Sequence, residues 1–172
     1  MPFDPFSSIA SLEKKNPKLG HWVAMTFLSF LSPFNAHLGG KMLEWSDNRC
    51  VIAVKRKRGV RNHVGSIHAG ALFTLGETCA GLIIIRNFPF GKFRPLMSDV
   101  SVDYAKQARG DVTGECVILP ETIKAMMETI NAGEVPRVEV VTEIYDKDRL
   151  LIATATTVWQ VKKWDLVKSQ KL

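Results

Sequence analysis

The residues best suited to chemistry lie between Asn62 and Glu77. The positions three and four residues from Glu77 hold only apolar or small uncharged side chains. A carboxylate in such surroundings loses hydration without gaining a cation, so we expect its pKa to be raised. Catalytic general bases often occupy this kind of environment. The alternative is a glutamate that points to solvent or bonds to a backbone group.

The segment around Gly65 and Gly70 is suited to binding a carbonyl oxygen. These glycines flank the predicted start of a helix, where unpaired N–H groups and the helix dipole stabilise a developing oxyanion. His68 could serve there as a base, or it could fix the turn by hydrogen bonding. Asn62 could likewise be a simple turn former. No Gly-x-Ser-x-Gly sequence accompanies these residues, so a serine nucleophile is not indicated.

The spacing of His68 and Glu77 limits how they can act together. They are nine positions apart, which corresponds to about 13 Å along a helix. One substrate atom cannot therefore contact both the helix start and Glu77 of the same chain. If both groups act on one substrate, they come from different subunits, and the protein is at least a dimer with its site at the interface.

A long helix and several strands are predicted to position this segment. Residues 69–86 are nearly all apolar or small, which favours a helix buried on all sides. Gly70, Gly76 and Gly81 each weaken that helix by roughly 1 kcal/mol relative to Ala, but they allow another backbone to approach closely. Strands are predicted at residues 38–45, 49–56, 95–105, 111–118, 138–145 and 150–161, with a second helix at 121–131.

This order of elements predicts an α+β domain in which a curved antiparallel sheet of about six strands wraps one central helix. In the strand at 95–105 the side chains alternate in character. Leu96, Ser98, Val100, Val102 and Tyr104 are therefore expected to share one face.

Composition excludes several classes of protein. The chain has 172 residues, of which 46% are hydrophobic and 23% charged, which argues for one folded domain and against disorder. No uninterrupted apolar run reaches the roughly 18 residues that a membrane span needs, so a polytopic membrane protein is excluded. The net charge of +6 favours an anionic partner without naming it.

The three cysteines, Cys50, Cys79 and Cys116, are scattered and odd in number. This pattern argues against both a disulfide framework and a zinc site. We expect buried thiols in a cytoplasmic, reducing environment and no metal ion.

The N-terminal segment is basic and then apolar, with three lysines before an aromatic-rich stretch at residues 22–34. The stretch lacks a signal-peptide cleavage site, so we expect amphipathic helices that pack on the domain and stop near Pro33. Contact with a membrane surface is a weaker alternative. The expected organisation is a helical extension at residues 1–35, the main domain at 36–164 and a polar, frayed tail at 165–172.

The pattern Asn62-x5-His68-Ala69-Gly70-x6-Glu77 resembles the signature of hotdog-fold acyl-CoA thioesterases of the phenylacetyl-CoA thioesterase-like branch. That signature reads Asn-x5-His-Gly-Gly-x6-Asp/Glu. The sequence from Val102 to Gly110 is also similar to the family's Tyr-x-(Arg/Lys)-Pro-Ala-x-Gly segment. The resemblance spans roughly residues 36–162 and implies a hotdog fold, with the long helix inside the curved sheet.

Two positions depart from the family pattern. Ala69 replaces the first glycine, although its backbone N–H survives, and Gln107 stands where proline is usual. The N-terminal helices and the helix at 121–131 are also additions. They resemble a poorly characterised subfamily of hotdog domains.

The resemblance implies a role for each matching residue. Glu77 would be the general base, or less readily the nucleophile, and the N–H of Ala69 from the partner subunit would polarise the thioester carbonyl. Asn62 and His68 would hold the loop and orient water or substrate. Gly70 would lie against the substrate at the helix start. Family members often carry a polar residue on the strand that faces the helix.

Ser98 is the nearest candidate for that polar residue. Cations are the expected contacts for the phosphates of coenzyme A, which arginine binds best. The alternative for the basic run at residues 55–61 is a solvated loop. Nucleic acid is not expected, because no aromatic interleaving supports it. The candidate phosphate-binding residues are Arg58, Arg61, Lys106 and Arg109.

The sequence therefore predicts an acyl-CoA thioesterase, a homodimer or dimer of dimers, that releases a carboxylic acid and coenzyme A. Coenzyme A enters as part of the substrate, and no separate cofactor is expected. Two alternatives stay open. One is a non-catalytic module that binds acyl-CoA or lipid, and the other is a hotdog enoyl-CoA hydratase or dehydratase.

Overall fold

The computed structural model describes residues 5–167 and contains the predicted helices and strands in the predicted order, with one further short helix. The helices are α1 (Pro5–Lys15), α2 (Pro17–Leu31), α3 (Pro33–Leu38), α4 (Ala69–Asn87) and α5 (Pro120–Asn131). The strands are β1 (Lys41–Trp45), β2 (Arg49–Val54), β3 (Phe93–Tyr104), β4 (Val112–Val117), β5 (Arg137–Asp146) and β6 (Leu151–Lys163). Short 3-10 turns occur at Arg58–Val60 and Trp164–Leu166.

The six strands form one antiparallel sheet in the order β1-β2-β4-β5-β6-β3. Helix α4 packs on the sheet and carries the largest share of the core. The fold is thus α+β, as the sequence predicted. Strand β3, with 12 residues, lies at one edge of the sheet.

Helix α4 approaches the sheet closely through its glycines. A Cβ at Gly76 would overlap Ala155 Cβ on β6, and one at Gly81 would come within 3.1 Å of the Trp159 ring. Thr142 Oγ1 on β5 donates a 3.1 Å hydrogen bond to the Gly76 carbonyl, which fixes the helix over the sheet. Within residues 5–167, α4 is the one helix whose length and composition would suit a membrane span, but most of it is buried inside the fold.

The expected common face of β3 is wrong because of a β-bulge between Met97 and Asp99. Met97 and Val102 are five positions apart, yet both pack against the core, which a regular strand would not allow. Ser98 is therefore exposed rather than facing the helix, and its Oγ donates to the Val158 carbonyl at 3.2 Å.

The N-terminal helices extend further than predicted. Pro33 does not end the helical region but occupies the first position of α3, where proline is well tolerated. The chain then turns at Gly39, which is left-handed with φ of 60°, so β1 starts at Lys41 rather than at residue 38. Phe6, Ile9 and Ala24 join the main core, so the extension is continuous with the rest of the domain.

A buried arginine ties the extension to the domain. Arg86 on α4 bonds Glu13 of α1 at 3.1 Å and Asp47 of the β1–β2 turn at 2.7 Å, and it stacks on the Trp45 ring. The Arg86 hydrogen bond lowers the pKa of Asp47. The polar tail predicted at 165–172 lies mostly outside the described residues, which end at 167.

The close contact at Gly76 yields a stability prediction. Gly76→Ala should lower the free energy of unfolding by about 2 kcal/mol, because overpacking against Ala155 outweighs the better helix propensity of alanine. Urea denaturation measures this change. Gly110→Ala, in a loop where no described atom lies within 4 Å of the added Cβ, is the control for an unhindered substitution. The second substitution Ala155→Gly should recover part of the loss; equal stability of Gly76→Ala and wild type would contradict the packing account.

Candidate active site

The loop before α4 is organised by Asn62. Its Oδ1 accepts hydrogen bonds from Val64 N–H at 3.2 Å and Ser66 N–H at 3.0 Å. Gly65, with φ of 76°, permits the tight turn between them. The structure thus places Asn62 where the sequence predicted, in a position that holds the loop.

His68 is the N-cap of α4. Its Nδ1 accepts a 2.9 Å hydrogen bond from Gly70 N–H, so the neutral ring carries its proton on Nε2. The Ala71 and Leu72 N–H groups donate to the His68 carbonyl. Among the described residues, no acceptor is found for the Ala69 N–H. The amide that the sequence singled out is therefore the one that the helix start leaves available.

Tyr104 also holds the start of α4, and sequence reasoning did not single it out as a site residue. Its hydroxyl donates to the Ala69 carbonyl at 3.2 Å, across 35 positions of sequence. This bond joins the end of β3 to the first residue of α4. The Tyr-x-(Arg/Lys) resemblance contained the residue, but only the structure shows its partner.

Glu77 lies two turns into α4 and is half-buried. Loss of hydration on burial raises the pKa of its carboxyl group, and in the described part of the chain no cation pairs with it. The raised pKa confirms the sequence prediction and suits a general base. Ala69 and Glu77 are eight positions apart on one continuous helix, which separates them by about 12 Å.

A cavity of about 260 Å³ opens beside the start of α4. The cavity was not predicted from sequence, because α3 forms one wall and that helix was not expected. Its lining is mainly apolar. The residues that line it include Phe34, His37, Val60, His68, Ala71 and Thr74.

The predicted phosphate-binding cations lie in two joined loops near the start of α4. Arg58 and Arg61 are exposed and share a shallow depression of about 490 Å³ with Asn62. Lys106 and Arg109 are exposed in the loop after β3. That loop is joined to the first, because Ser66 Oγ and Ile67 N–H both donate to the Ala108 carbonyl. Ser98, six residues before Tyr104 on β3, does not join this group.

Among the residues that the structure describes, the remaining reactive side chains do not form a second centre. Cys50, Cys79 and Cys116 are buried and unbridged, and burial raises the pKa of Cys116 to about 12, so it is a poor nucleophile. Across residues 5–167, no group of three or more His, Cys, Asp or Glu side chains is placed to hold a metal ion.

Comparison with solved structures identifies the fold as the hotdog fold. A probable thioesterase of unknown function from Pseudomonas aeruginosa superposes with a TM-score of 0.76 at 20% identity, covering 82% of this chain and 94% of that one. A thioesterase from Haemophilus influenzae gives 0.66 at 14% identity, covering 86% and 92%. A thioesterase enzyme from Staphylococcus aureus, a glutamine-to-alanine mutant, gives 0.64 at 20% identity, covering 76% and 99%.

Residues 20–161 match the family model DUF4442, a domain of unknown function, and the chain belongs to that family. None of the curated proteins matches the sequence. The family and the fold together agree with the predicted membership of a poorly characterised hotdog subfamily.

The unpaired carboxylate predicts a pH-dependent stability. A carboxyl whose pKa is raised by folding binds more protons in the native state, so its contribution to stability falls as pH rises through the two pKa values. Glu77→Gln should therefore raise the melting temperature at neutral pH. The gain should vanish below the pKa of the unfolded glutamate.

Thermal melts across this pH range measure the effect, with the exposed Glu134→Gln as control. A loss of stability in Glu77→Gln at neutral pH would show that the carboxylate has a favourable partner.

Proposed function

We propose that the protein is an acyl-CoA thioesterase whose active site forms between two subunits. The observation that carries this proposal is the half-buried, unpaired Glu77 on the same helix as the available Ala69 N–H. Thioester hydrolysis requires a base that takes a proton from water and a donor that stabilises the oxyanion. Glu77 suits the first requirement and the Ala69 N–H suits the second. Since about 12 Å of helix separates them, each pairs with the complementary group of the partner subunit.

The open edge of β3 supports a subunit interface at this place. A long edge strand presents unpaired backbone groups that can pair with another strand. Because Tyr104 joins the end of β3 to the start of α4, antiparallel pairing of two β3 edges brings each helix start toward the other protomer. A dimer built this way can assemble further into a dimer of dimers.

The reaction follows from these positions. Glu77 accepts a proton from water as the water oxygen attacks the thioester carbonyl carbon. The Ala69 N–H of the partner subunit donates to the oxyanion of the tetrahedral intermediate. The C–S bond then breaks, and the thiolate of coenzyme A takes the proton from Glu77. The products are a carboxylic acid and free coenzyme A.

The surroundings of α4 suit the two ends of such a substrate. The apolar cavity against α3 receives the acyl group, and its volume, just below the roughly 300 Å³ typical of small ligand sites, favours a short chain. Arg58, Arg61, Lys106 and Arg109 bind the phosphates of coenzyme A. The three buried, unbridged cysteines support a cytoplasmic location.

Kinetics with a panel of acyl-CoA esters and a thiol reagent test the proposal. Glu77→Gln should reduce kcat by about 10²-fold or more, because the amide cannot accept a proton from water. Wild-type kcat/KM should rise with pH along a limb set by the raised pKa of Glu77. The exposed Glu134→Gln serves as the control and should retain wild-type rates.

Three outcomes would contradict the proposal. Wild-type rates in Glu77→Gln would remove Glu77 as the base. Acyl-CoA binding without thiol release by wild type would favour a binding module, and a change in enoyl absorbance without thiol release would favour a hydratase.

A further inference from the structure

The outward face of the N-terminal helices carries an unusual set of exposed apolar side chains. Trp22 and Phe30 on α2 and Phe34 on α3 are 65%, 79% and 70% exposed, the three highest values among the large apolar residues described. Leu19, Trp22, Thr26 and Phe30 lie three or four positions apart, so they form one stripe along α2. We call Trp22, Phe30 and Phe34 the aromatic stripe.

The aromatic stripe is not needed to build the core. The opposite side of α2 supplies the packing, where Gly20 and Ala24 are buried and Phe27 and Leu28 rest against the core. Large exposed apolar side chains grouped on neighbouring helices mark a binding surface in globular proteins.

Lysines lie at the Trp22 end of the aromatic stripe. Trp22 shares an open groove of about 470 Å³ with Lys18, Lys41 and Leu43. Lys14 and Lys15 close the preceding helix and are exposed.

Almost no negative charge offsets these lysines. Between residues 14 and 76 the sequence has ten lysines and arginines but only two acidic residues, Glu44 and Asp47. Both of these are already paired, with Arg49 and Arg86 respectively, and Glu13, just before this range, is paired with Arg86 as well. The Trp22 end of the aromatic stripe therefore carries a net positive charge that an anionic partner would complement.

The combination of lysines with exposed aromatic side chains favours a lipid bilayer over another protein as the partner. The centres of protein–protein interfaces are depleted in lysine, whereas helices that lie at a bilayer surface combine lysines with Trp, Phe and Leu. Lysine stems extend along apolar surface while the ammonium groups reach the headgroups. The cytoplasmic face of membranes also carries negative potential.

We propose that α2 and α3 dock the protein onto an anionic lipid bilayer, with the aromatic stripe in the headgroup boundary and the lysines on the lipid headgroups. The test of this assignment does not depend on hydrolysis, because the two aromatic residues that it changes, Trp22 and Phe30, lie outside the cavity beside α4, unlike Phe34.

Co-sedimentation with vesicles tests the assignment. The full chain should bind phosphatidylcholine–phosphatidylglycerol vesicles, bind pure phosphatidylcholine vesicles far more weakly, and be released by salt. Trp22→Ser with Phe30→Ser should weaken binding about tenfold or more. Val117→Ser with Leu119→Ser, two apolar residues that are 52% and 56% exposed elsewhere on the protein, should bind as wild type.

Reversing the charge of two lysines provides a second test of the same proposal. Lys15→Glu with Lys18→Glu should weaken binding to anionic vesicles about tenfold or more, since each lysine near such a surface contributes about fivefold. The control pair Lys124→Glu with Lys147→Glu, also exposed, should have little effect. Melting curves establish that each variant is folded.

Equal binding of the wild-type protein to both kinds of vesicle would overturn the proposal. Wild-type binding to anionic vesicles by either test variant would also overturn it. A change of oligomeric state in Trp22→Ser with Phe30→Ser, measured by light scattering and without loss of vesicle binding, would assign the surface to contacts between copies of the chain instead.

Discussion

The structure depends on the burial of one helix, α4, against a curved sheet. Close contacts at Gly76 and Gly81 hold this helix to β6, and the Thr142 hydrogen bond to the Gly76 carbonyl fixes its position. Burial dehydrates the Glu77 carboxylate, while the start of the same helix leaves the Ala69 N–H without an acceptor among residues 5–167. The rigidity of the helix then keeps these two groups about 12 Å apart within a protomer.

Two features of the protomer do not favour its stability as a single subunit, and the proposed function explains why they are present. An unpaired carboxylate in a low-dielectric setting costs folding free energy, and an open edge strand invites pairing with another chain. Departures from local rules of this kind are concentrated at functional sites. In this chain they lie along β3 and along the face of α4 that carries Glu77.

Structural features that depend on local sequence patterns were predicted from the sequence. Features that depend on contacts between distant residues were missed. The apolar run and the glycines were sufficient to place α4, whereas the capping role of His68 was one of two that the sequence left open. The face of Ser98 was wrong because the bulge at Met97 arises from pairing with β6. Helix α3 was missed because Pro33 suits a helix start as well as a helix end. The Tyr104 bond to Ala69 joins residues 35 positions apart, and no single-chain pattern reveals such a pair.

The most direct test of the shared site is complementation between two inactive variants. Glu77→Gln removes the base, and Ala69→Pro removes the amide donor at a first helical position, where proline fits and where the extended His68 tolerates it. After subunit exchange, verified by mass spectrometry, a mixture of the two should recover about a quarter of wild-type acyl-CoA hydrolysis, since half the dimers are mixed and each has one intact site. No recovery despite exchange would contradict a site built from two subunits.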